Sequence, residues 1–132
     1  MGKYAELLDR CKFNDQGLVT AIAQDQASGQ VLMVGFMNRE ALEQTLERGV
    51  ACYWSRSRGK LWVKGETSGH LQKIKELYFD CDMDAIVMLV EQLGGACHQG
   101  YRSCFYRRMD QEGKLEVVGE KVFDEEDVYG KD

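Results

Sequence analysis

Two apolar segments joined by a short polar one place the tightest limit on what this chain can fold into. Residues 18–24 (LVTAIAQ) and 31–37 (VLMVGFM) are apolar runs of strand length. Between them lies DQASGQ, whose Asp, Ser and Gly are typical of turns. We therefore predict two β-strands connected by a polar turn.

A helix is predicted directly after the second strand, over residues 39–48. Asn38 can cap its N-terminus, and Glu40 lies in the first turn, where the helix dipole favours an anion. Gly49 follows the last turn and provides the C-terminal stop. The side chains that recur with helical spacing, and should face inward, are Ala41, Leu42, Thr45 and Leu46.

The remaining chain gives less certain local patterns. The apolar run 85–90 (AIVMLV) fits either a buried strand or a short buried helix, and periodicity does not decide between them. The segment from Ser55 to Gly69 is polar and rich in glycine, and the acidic tail from Glu120 is predicted to be a solvated end. Further strands are predicted at 50–54, 104–108 and 114–118.

Composition limits the class of protein. The chain has 132 residues, 44% hydrophobic and 30% charged, with a net charge of -5. This length and balance predict a single globular domain over residues 1–132. The acidic charge argues against nucleic-acid binding. The absence of a long apolar run or a signal-like N-terminus argues against membrane insertion and export. We expect a cytoplasmic protein.

Five cysteines, an odd number, favour reduced thiols or metal ligands over a disulfide framework. Cys81, Cys97 and Cys104 cluster in the second half of the chain. Three protein ligands plus one open position are typical of a catalytic zinc, whereas a fourth ligand, such as His98, would make a structural site. From spacing alone, small buried side chains remain the stronger alternative.

Three aspartates surround the first of these cysteines. Asp80, Asp82 and Asp84 alternate in the sequence DCDMD, so in an extended segment they would share one face while Cys81 pointed to the other. Clustered carboxylates suit a hard cation such as magnesium. The alternative is an exposed acidic loop.

A calcium-binding loop is a second interpretation of the same segment. DCDMDAIVMLVE, residues 80–91, has an acidic residue at each required position of an EF-hand loop, but Ala85 replaces the glycine of the sharp turn. The preceding Leu71, Ile74, Leu77 and Tyr78 have the spacing of a helix.

A basic segment interrupts the acidic chain and is predicted to bind phosphate. Arg56, Arg58, Lys60 and Lys64 lie within nine residues of one another. Trp54 and Trp62 flank them and could stack on a base, while a solvated turn with core tryptophans is the alternative. The same segment contains Glu66 and Ser68, which could hold a ribose or a water. The two histidines, His70 and His98, adjoin glycine-containing turns and are candidate general acids or bases.

Taken together, these motifs resemble the phosphoribosyl-AMP cyclohydrolase family. The matching stretches run in order over most of the chain, and the aspartate and cysteine motifs are highly specific as a set. They are VLMVGFMNREAL, YWSRSRGKLWVKGETSGHLQ, DCDMDA, GGACHQG and SCFYRR.

The resemblance implies an α+β fold, with a curved, mostly antiparallel sheet, few helices and an intertwined homodimer. It implies that residues 71–90 are strand, against the helical spacing. Some members of the family carry a second, pyrophosphohydrolase domain, and we expect none here because the chain is too short for it. The resemblance also implies zinc on Cys81, Cys97 and Cys104, drawn from both subunits, and magnesium on Asp80, Asp82 and Asp84. The substrate-binding residues are expected to be Arg56, Arg58, Trp62, Lys64, Glu66, Ser68 and Ser103.

The implied reaction is hydrolysis of the N1–C6 bond of the adenine ring of 1-(5-phosphoribosyl)-AMP, in histidine biosynthesis. Ribosylation at N1 makes that ring cationic and C6 electrophilic, and zinc can lower the pKa of a water to about 7. The histidine that moves the proton, His70 or His98, is left open. A small metal-stabilised binding module without turnover is the non-enzymatic alternative.

Overall fold

The computed structural model describes residues 2–122. The acidic tail is described only as far as Val122, so the prediction of a solvated end lies mainly outside the described residues. Within residues 2–122, no helix combines the length and the apolar character needed to cross a bilayer.

Two helices and eight strands make up the described chain. In chain order they are α1 (Ala5–Arg10), β1 (Val19–Asp25), β2 (Val31–Met37), α2 (Arg39–Arg48), β3 (Cys52–Ser55), β4 (Lys60–Val63), β5 (Gln72–Phe79), β6 (Ala85–Gln92), β7 (Arg107–Met109) and β8 (Leu115–Val117). The predicted strands at 18–24, 31–37, 50–54 and 114–118 are confirmed with small shifts of their ends. The strand predicted at 104–108 overlaps β7 only at residues 107 and 108. The short helix α1 was not predicted.

A four-stranded sheet forms the centre, in the order β2-β1-β6-β5. The β1–β2 and β5–β6 pairs are antiparallel, and β1 lies parallel to β6. The strand pairs β3–β4 and β7–β8 form two smaller antiparallel sheets. This mostly antiparallel arrangement with two helices confirms the predicted α+β class.

Helix α2 begins and ends as its sequence predicts. The Asn38 side chain accepts a hydrogen bond from the Ala41 N–H at 2.8 Å, and Gly49 ends the helix in the left-handed conformation, with φ 73°. The buried Thr45 hydroxyl accepts a hydrogen bond from the Cys52 N–H at 2.9 Å, which fastens the helix to β3. Thus α2 positions the β3–β4 hairpin, from which the candidate site is built.

The helical spacing seen at residues 71–78 is misleading, because this segment is β5. Its register against β6 shifts between Ile74 and Glu76, so one extra residue interrupts the alternation. The inward side chains therefore fall at 72, 74, 77 and 79, and the step from 74 to 77 mimics a helix. The EF-hand interpretation is also wrong, because strands rather than helices flank residues 80–84. The ambiguous run at 85–90 is likewise a strand, β6.

The hydrophobic core lies between the central sheet, α2 and the β3–β4 hairpin. Tyr53 is the largest fully buried side chain, and its hydroxyl donates to Gln72 Oε1 at 2.7 Å. Gln72 Nε2 donates in turn to Gln92 Oε1 at 2.9 Å. This chain of buried hydrogen bonds satisfies polar groups that would otherwise destabilise the core.

Candidate active site

A cavity of about 740 Å³ lies beside the β3–β4 hairpin and the turn that follows it. Its lining brings together side chains that the sequence analysis predicted for substrate binding and proton transfer. These are Arg58, Trp62, Lys64, Glu66, Ser68 and His98. Residues of the basic segment thus meet His98, which lies about 30 residues further along the chain.

An adjoining cavity of about 770 Å³ is lined by Arg56 and by aromatic side chains of β2, β3 and β4. The Arg56 guanidinium lies over the Phe36 ring, 4.0 Å from its centroid. Trp62 lines both cavities and stacks on Tyr53, with ring centroids 5.0 Å apart. A guanidinium stacked on a ring keeps its N–H groups in plane, where they can bind oxygen anions.

Lys64 is buried rather than displayed on the surface. Its Nζ donates to the Ala96 carbonyl at 2.6 Å. Burial lowers the pKa of Lys64, while the nearby Cys104 and Cys97 act in the opposite direction. The ammonium group therefore lies beside the two cysteines as well as against the cavity wall, which its position in a basic segment did not reveal.

Cys97 and Cys104 form a thiol pair, lying close enough for Cys97 to influence the pKa of Cys104. Burial, followed by the influence of Cys97, raises the pKa of Cys104 to about 11, and Lys64 opposes this shift. The Cys104 residue as a whole is exposed, but its sulfur lies near Cys97 and Lys64. Two neighbouring thiols beside a lysine are a donor set suited to a soft divalent cation such as zinc.

Cys81 lies elsewhere, exposed in the β5–β6 turn, with its Sγ 3.8 Å from Asp82 Oδ1. Within residues 2–122, the side chains that could hold a metal ion form one group of three or more, and it contains no cysteine. One chain therefore does not bring Cys81 together with Cys97 and Cys104.

That group is Asp80, Asp82 and Asp84, whose ligand atoms lie within 4.8 Å of one another. They converge because residues 80–84 form a turn, with Met83 at φ 62°, and not because they share one face of a strand as predicted. Asp80 Oδ1 accepts hydrogen bonds from the N–H groups of Asp84, at 3.0 Å, and Ala85, at 3.3 Å.

Electrostatics within this acidic turn favour a cation. Partial desolvation acts to raise the pKa of Asp80, but the backbone hydrogen bonds from Asp84 and Ala85 outweigh it and keep that pKa low. The hydrogen bond with Asp80, followed by desolvation and the charges of Asp80 and Asp82, raises the pKa of Asp84. A magnesium ion would relieve this crowding of negative charge, so the carboxylates fit it.

His70 packs against the glycines of neighbouring loops. A Cβ on Gly94 would come within 2.5 Å of His70 Cδ2, and one on Gly65 within 2.2 Å of the His70 carbonyl carbon. Burial, followed by the charge of Lys64, lowers the pKa of His70, while a hydrogen bond with the Gly95 backbone opposes this shift. The place of Gly94 against the imidazole was not predicted from the sequence.

Ser103 differs from the other predicted substrate-binding residues because its hydroxyl is engaged within the fold. It donates to the Val31 carbonyl at 2.6 Å and accepts from the Phe105 N–H at 2.9 Å. The side chain is buried and does not line either cavity. In the structure it fixes the chain next to Cys104.

Comparison with known proteins places the chain in a family. The profile of the phosphoribosyl-AMP cyclohydrolase family matches residues 33–106. The phosphoribosyl-AMP cyclohydrolase of Methanococcoides burtonii is 64% identical, over 92% of this chain and 98% of that protein. The proteins of the same name from Methanosarcina mazei, with 66% identity over 87% of this chain and 92% of that protein, and Chlorobium phaeovibrioides, with 54% over 94% and 90%, are similar as well. The chain therefore belongs to the phosphoribosyl-AMP cyclohydrolase family.

Proposed function

We propose that this protein hydrolyses 1-(5-phosphoribosyl)-AMP at the N1–C6 bond of its adenine ring, as a step of histidine biosynthesis. The observation that carries the proposal is the cavity lined by Arg58, Trp62 and His98, with a thiol pair behind Lys64. It combines groups for phosphate, for a base and for proton transfer in one place. The relatives named above bear the name of this activity.

The reaction adds one water across one bond. The N1-ribosylated ring is cationic, so C6 accepts the water oxygen and becomes tetrahedral. The C6–N1 bond then breaks, C6 with its exocyclic nitrogen becomes a carboxamide, and N1 leaves as part of an amidine. A proton from the water must be removed, and His98 at the cavity wall or His70 behind it is the candidate group.

Zinc is proposed to bind the thiol pair of Cys97 and Cys104, with Cys81 of a second subunit as third ligand. When bound, it supplies the Lewis acidity that makes water acidic enough to attack at neutral pH. The influence of the Cys97 thiol on Cys104 supports the first part, and the separate position of Cys81 within one chain supports the second. Lys64 offsets the negative charge of the thiolates.

A homodimer is therefore part of the proposal. The described chain exposes apolar side chains on the β7–β8 hairpin, where Met109 and Leu115 are 67% and 64% exposed. Exposed apolar groups of this kind are typical of surfaces that another chain covers. Magnesium is proposed to be held by Asp80, Asp82 and Asp84, and it would supply positive charge for a substrate phosphate.

The two arginines are proposed to contact different arms of the substrate. The substrate has a phosphoribosyl group on each side of its purine, and the chain has two adjoining cavities that meet at Trp62. Arg58 lines the cavity with His98, and Arg56 lines the other one. Glu66 and Ser68 are then available for the ribose or the water in the first cavity.

The decisive experiment incubates the metal-loaded protein with phosphoribosyl-AMP and follows the ring-opened imidazole carboxamide. Adenosine and cytidine should remain unchanged. Arg58→Ala and Arg56→Ala should each raise KM about tenfold while kcat changes little, because phosphate contacts are shared by ground and transition states. Metal binding without turnover would instead favour a metal-stabilised binding module.

A further inference from the structure

One ion pair connects the central sheet to the loop that carries the thiol pair. Arg102 Nη2 lies 3.1 Å from Asp25 Oδ1, across 77 positions of sequence. Asp25 is the last residue of β1, and Arg102 lies between Cys97 and Cys104. The side chain of Asp25 is 8% exposed and that of Arg102 29%, so the pair is shielded from solvent more than a surface ion pair is.

The guanidinium group also holds the start of the same loop. Arg102 Nη1 donates to the Gly94 carbonyl at 2.9 Å. The backbone carbonyl of Arg102 accepts a hydrogen bond from the Ala96 N–H at 2.9 Å. Gly94 in turn packs against His70 so closely that a Cβ would clash with the imidazole. Arg102 thus contacts backbone on both sides of Gly95, next to Cys97.

Asp25 is itself held in place. Its second oxygen, Oδ2, accepts hydrogen bonds from the Ser28 N–H at 2.9 Å and the Ser28 hydroxyl at 2.7 Å. Burial acts to raise the pKa of Asp25, but the hydrogen bonds from Ser28 and the charge of Arg102 outweigh it, so the carboxylate stays ionised. A fixed anion at the end of a central strand is a rigid anchor for a guanidinium fork.

We propose that Arg102, anchored by Asp25, is a positioning residue that sets the thiol pair and His70 in their working geometry. The expected effect on catalysis rests on the proposed function, whereas the expected effect on the position of the thiol pair does not. In the described chain, Arg102 is not among the residues that line the two cavities, and none of its hydrogen bonds reaches a thiol sulfur. It acts through the backbone of residues 94–96. Groups that orient metal ligands in this way commonly change metal affinity or activity 10- to 100-fold when altered, as an order of magnitude.

Arg102→Lys and Asp25→Asn test the inference. Lysine keeps the charge but lacks the planar fork that reaches the Asp25 carboxylate and the Gly94 carbonyl together. Asparagine keeps the shape but removes the anion. Each variant should weaken zinc affinity, measured by competition with a chromophoric chelator, by about 10- to 100-fold. The value of kcat should fall by a similar factor, with KM for phosphoribosyl-AMP within about threefold of the parent value.

A second readout needs neither metal nor substrate. In metal-free protein, diamide should oxidise Cys97 and Cys104 to a disulfide, located by peptide mass spectrometry. Arg102→Lys should slow this oxidation because the loop no longer holds the two thiols near each other. If the parent protein fails to turn over phosphoribosyl-AMP, the proposed function is wrong. Zinc affinity and the rate of disulfide formation still test whether Arg102 and Asp25 position the thiol pair.

The matched control is the exposed pair of Asp9 and Arg39, which lie 2.7 Å apart on the two helices. Arg39→Lys and Asp9→Asn should leave zinc affinity, disulfide rate and kcat unchanged. A purely structural role for Arg102 would lower the melting temperature and leave these three quantities at parent values, and that result overturns the inference. Should Arg102→Lys not fold, Asp25→Asn decides by the same three measurements.

Discussion

The two clusters of potential metal ligands are assembled in different ways. The acidic turn of Asp80, Asp82 and Asp84 is complete within five residues of one chain and is exposed. The thiol pair of Cys97 and Cys104 is built by a loop closed on itself, lies beside the buried Lys64 and lacks its proposed third ligand. A local turn can present carboxylates without tertiary structure, whereas the thiol pair depends on the whole fold and, by our proposal, on a second subunit.

Cys104→Ser should have the largest effect on this comparison. The serine hydroxyl is a poor zinc ligand, so the protein should lose its zinc and its kcat should fall on the order of a thousandfold or more. Zinc content by elemental analysis and turnover of phosphoribosyl-AMP check this expectation. Cys52→Ser, at a buried thiol that donates to the Val50 carbonyl at 3.6 Å, and Cys11→Ser should lose neither. Full zinc retention in Cys104→Ser would contradict the thiol site.

Asp82→Asn should have an intermediate effect and should separate the two clusters. With one carboxylate lost, the magnesium concentration for half-maximal activity should rise about 10- to 100-fold, while zinc content stays at the parent level. Asp15→Asn, at an exposed residue outside both clusters, is the control and should leave the magnesium response unchanged. Loss of zinc from Asp82→Asn would show that the clusters are not independent.

Mixing subunits tests whether the thiol site is shared. Cys81→Ser and Cys97→Ser proteins should each be inactive, but a mixed dimer has one site with all three cysteines intact. With random exchange, half of the dimers are mixed and each holds one of two sites, so activity should return to about a quarter of the parent value. Exchange must be verified with two affinity tags. No recovery after verified exchange would mean that each site is built within a single chain.

Sequence predicted best what is decided locally. The strands β1 and β2 and helix α2 follow from short-range patterns, such as the Asn38 cap and the Gly49 stop. The spacing of β5 misled because a bulge between Ile74 and Glu76 changes the phase of the inward side chains, and bulges leave little trace in composition.

Contacts between residues that are distant in sequence could not be predicted from local patterns. Burial of Lys64 beside Cys104 and the pairing of Asp25 with Arg102 depend on how distant loops dock on the sheet. In the acidic turn the residues of the proposed site were identified without the fold. The three cysteine ligands were predicted from the resemblance to a family, and the structure shows what surrounds Cys97 and Cys104.

The smallest expected effect concerns pH and again separates the two regions. In the acidic turn, hydrogen bonds outweigh desolvation and lower the pKa of Asp80 from its ordinary value of 3.8, while the hydrogen bond with Asp80 raises the pKa of Asp84. His70, which packs against Gly94 in the loop of the thiol pair, has a pKa lowered from 6.5 by burial and by Lys64. The folded chain therefore binds fewer protons here than the unfolded one, and the contribution to stability is complete above about pH 6.5 and decreases as pH falls through the folded value.

Unfolding of the metal-free protein by urea, at fixed protein concentration, should show this loss between pH 7.5 and pH 5. The loss should be under about 1 kcal/mol, because solvent screens a partly exposed ring. His70→Asn should reduce the pH dependence in this interval, since asparagine does not titrate. His98→Asn is the matched control at the other, exposed histidine and should retain the parent slope. An identical slope in His70→Asn and the parent would mean that the pH sensitivity arises outside the surroundings of the thiol pair.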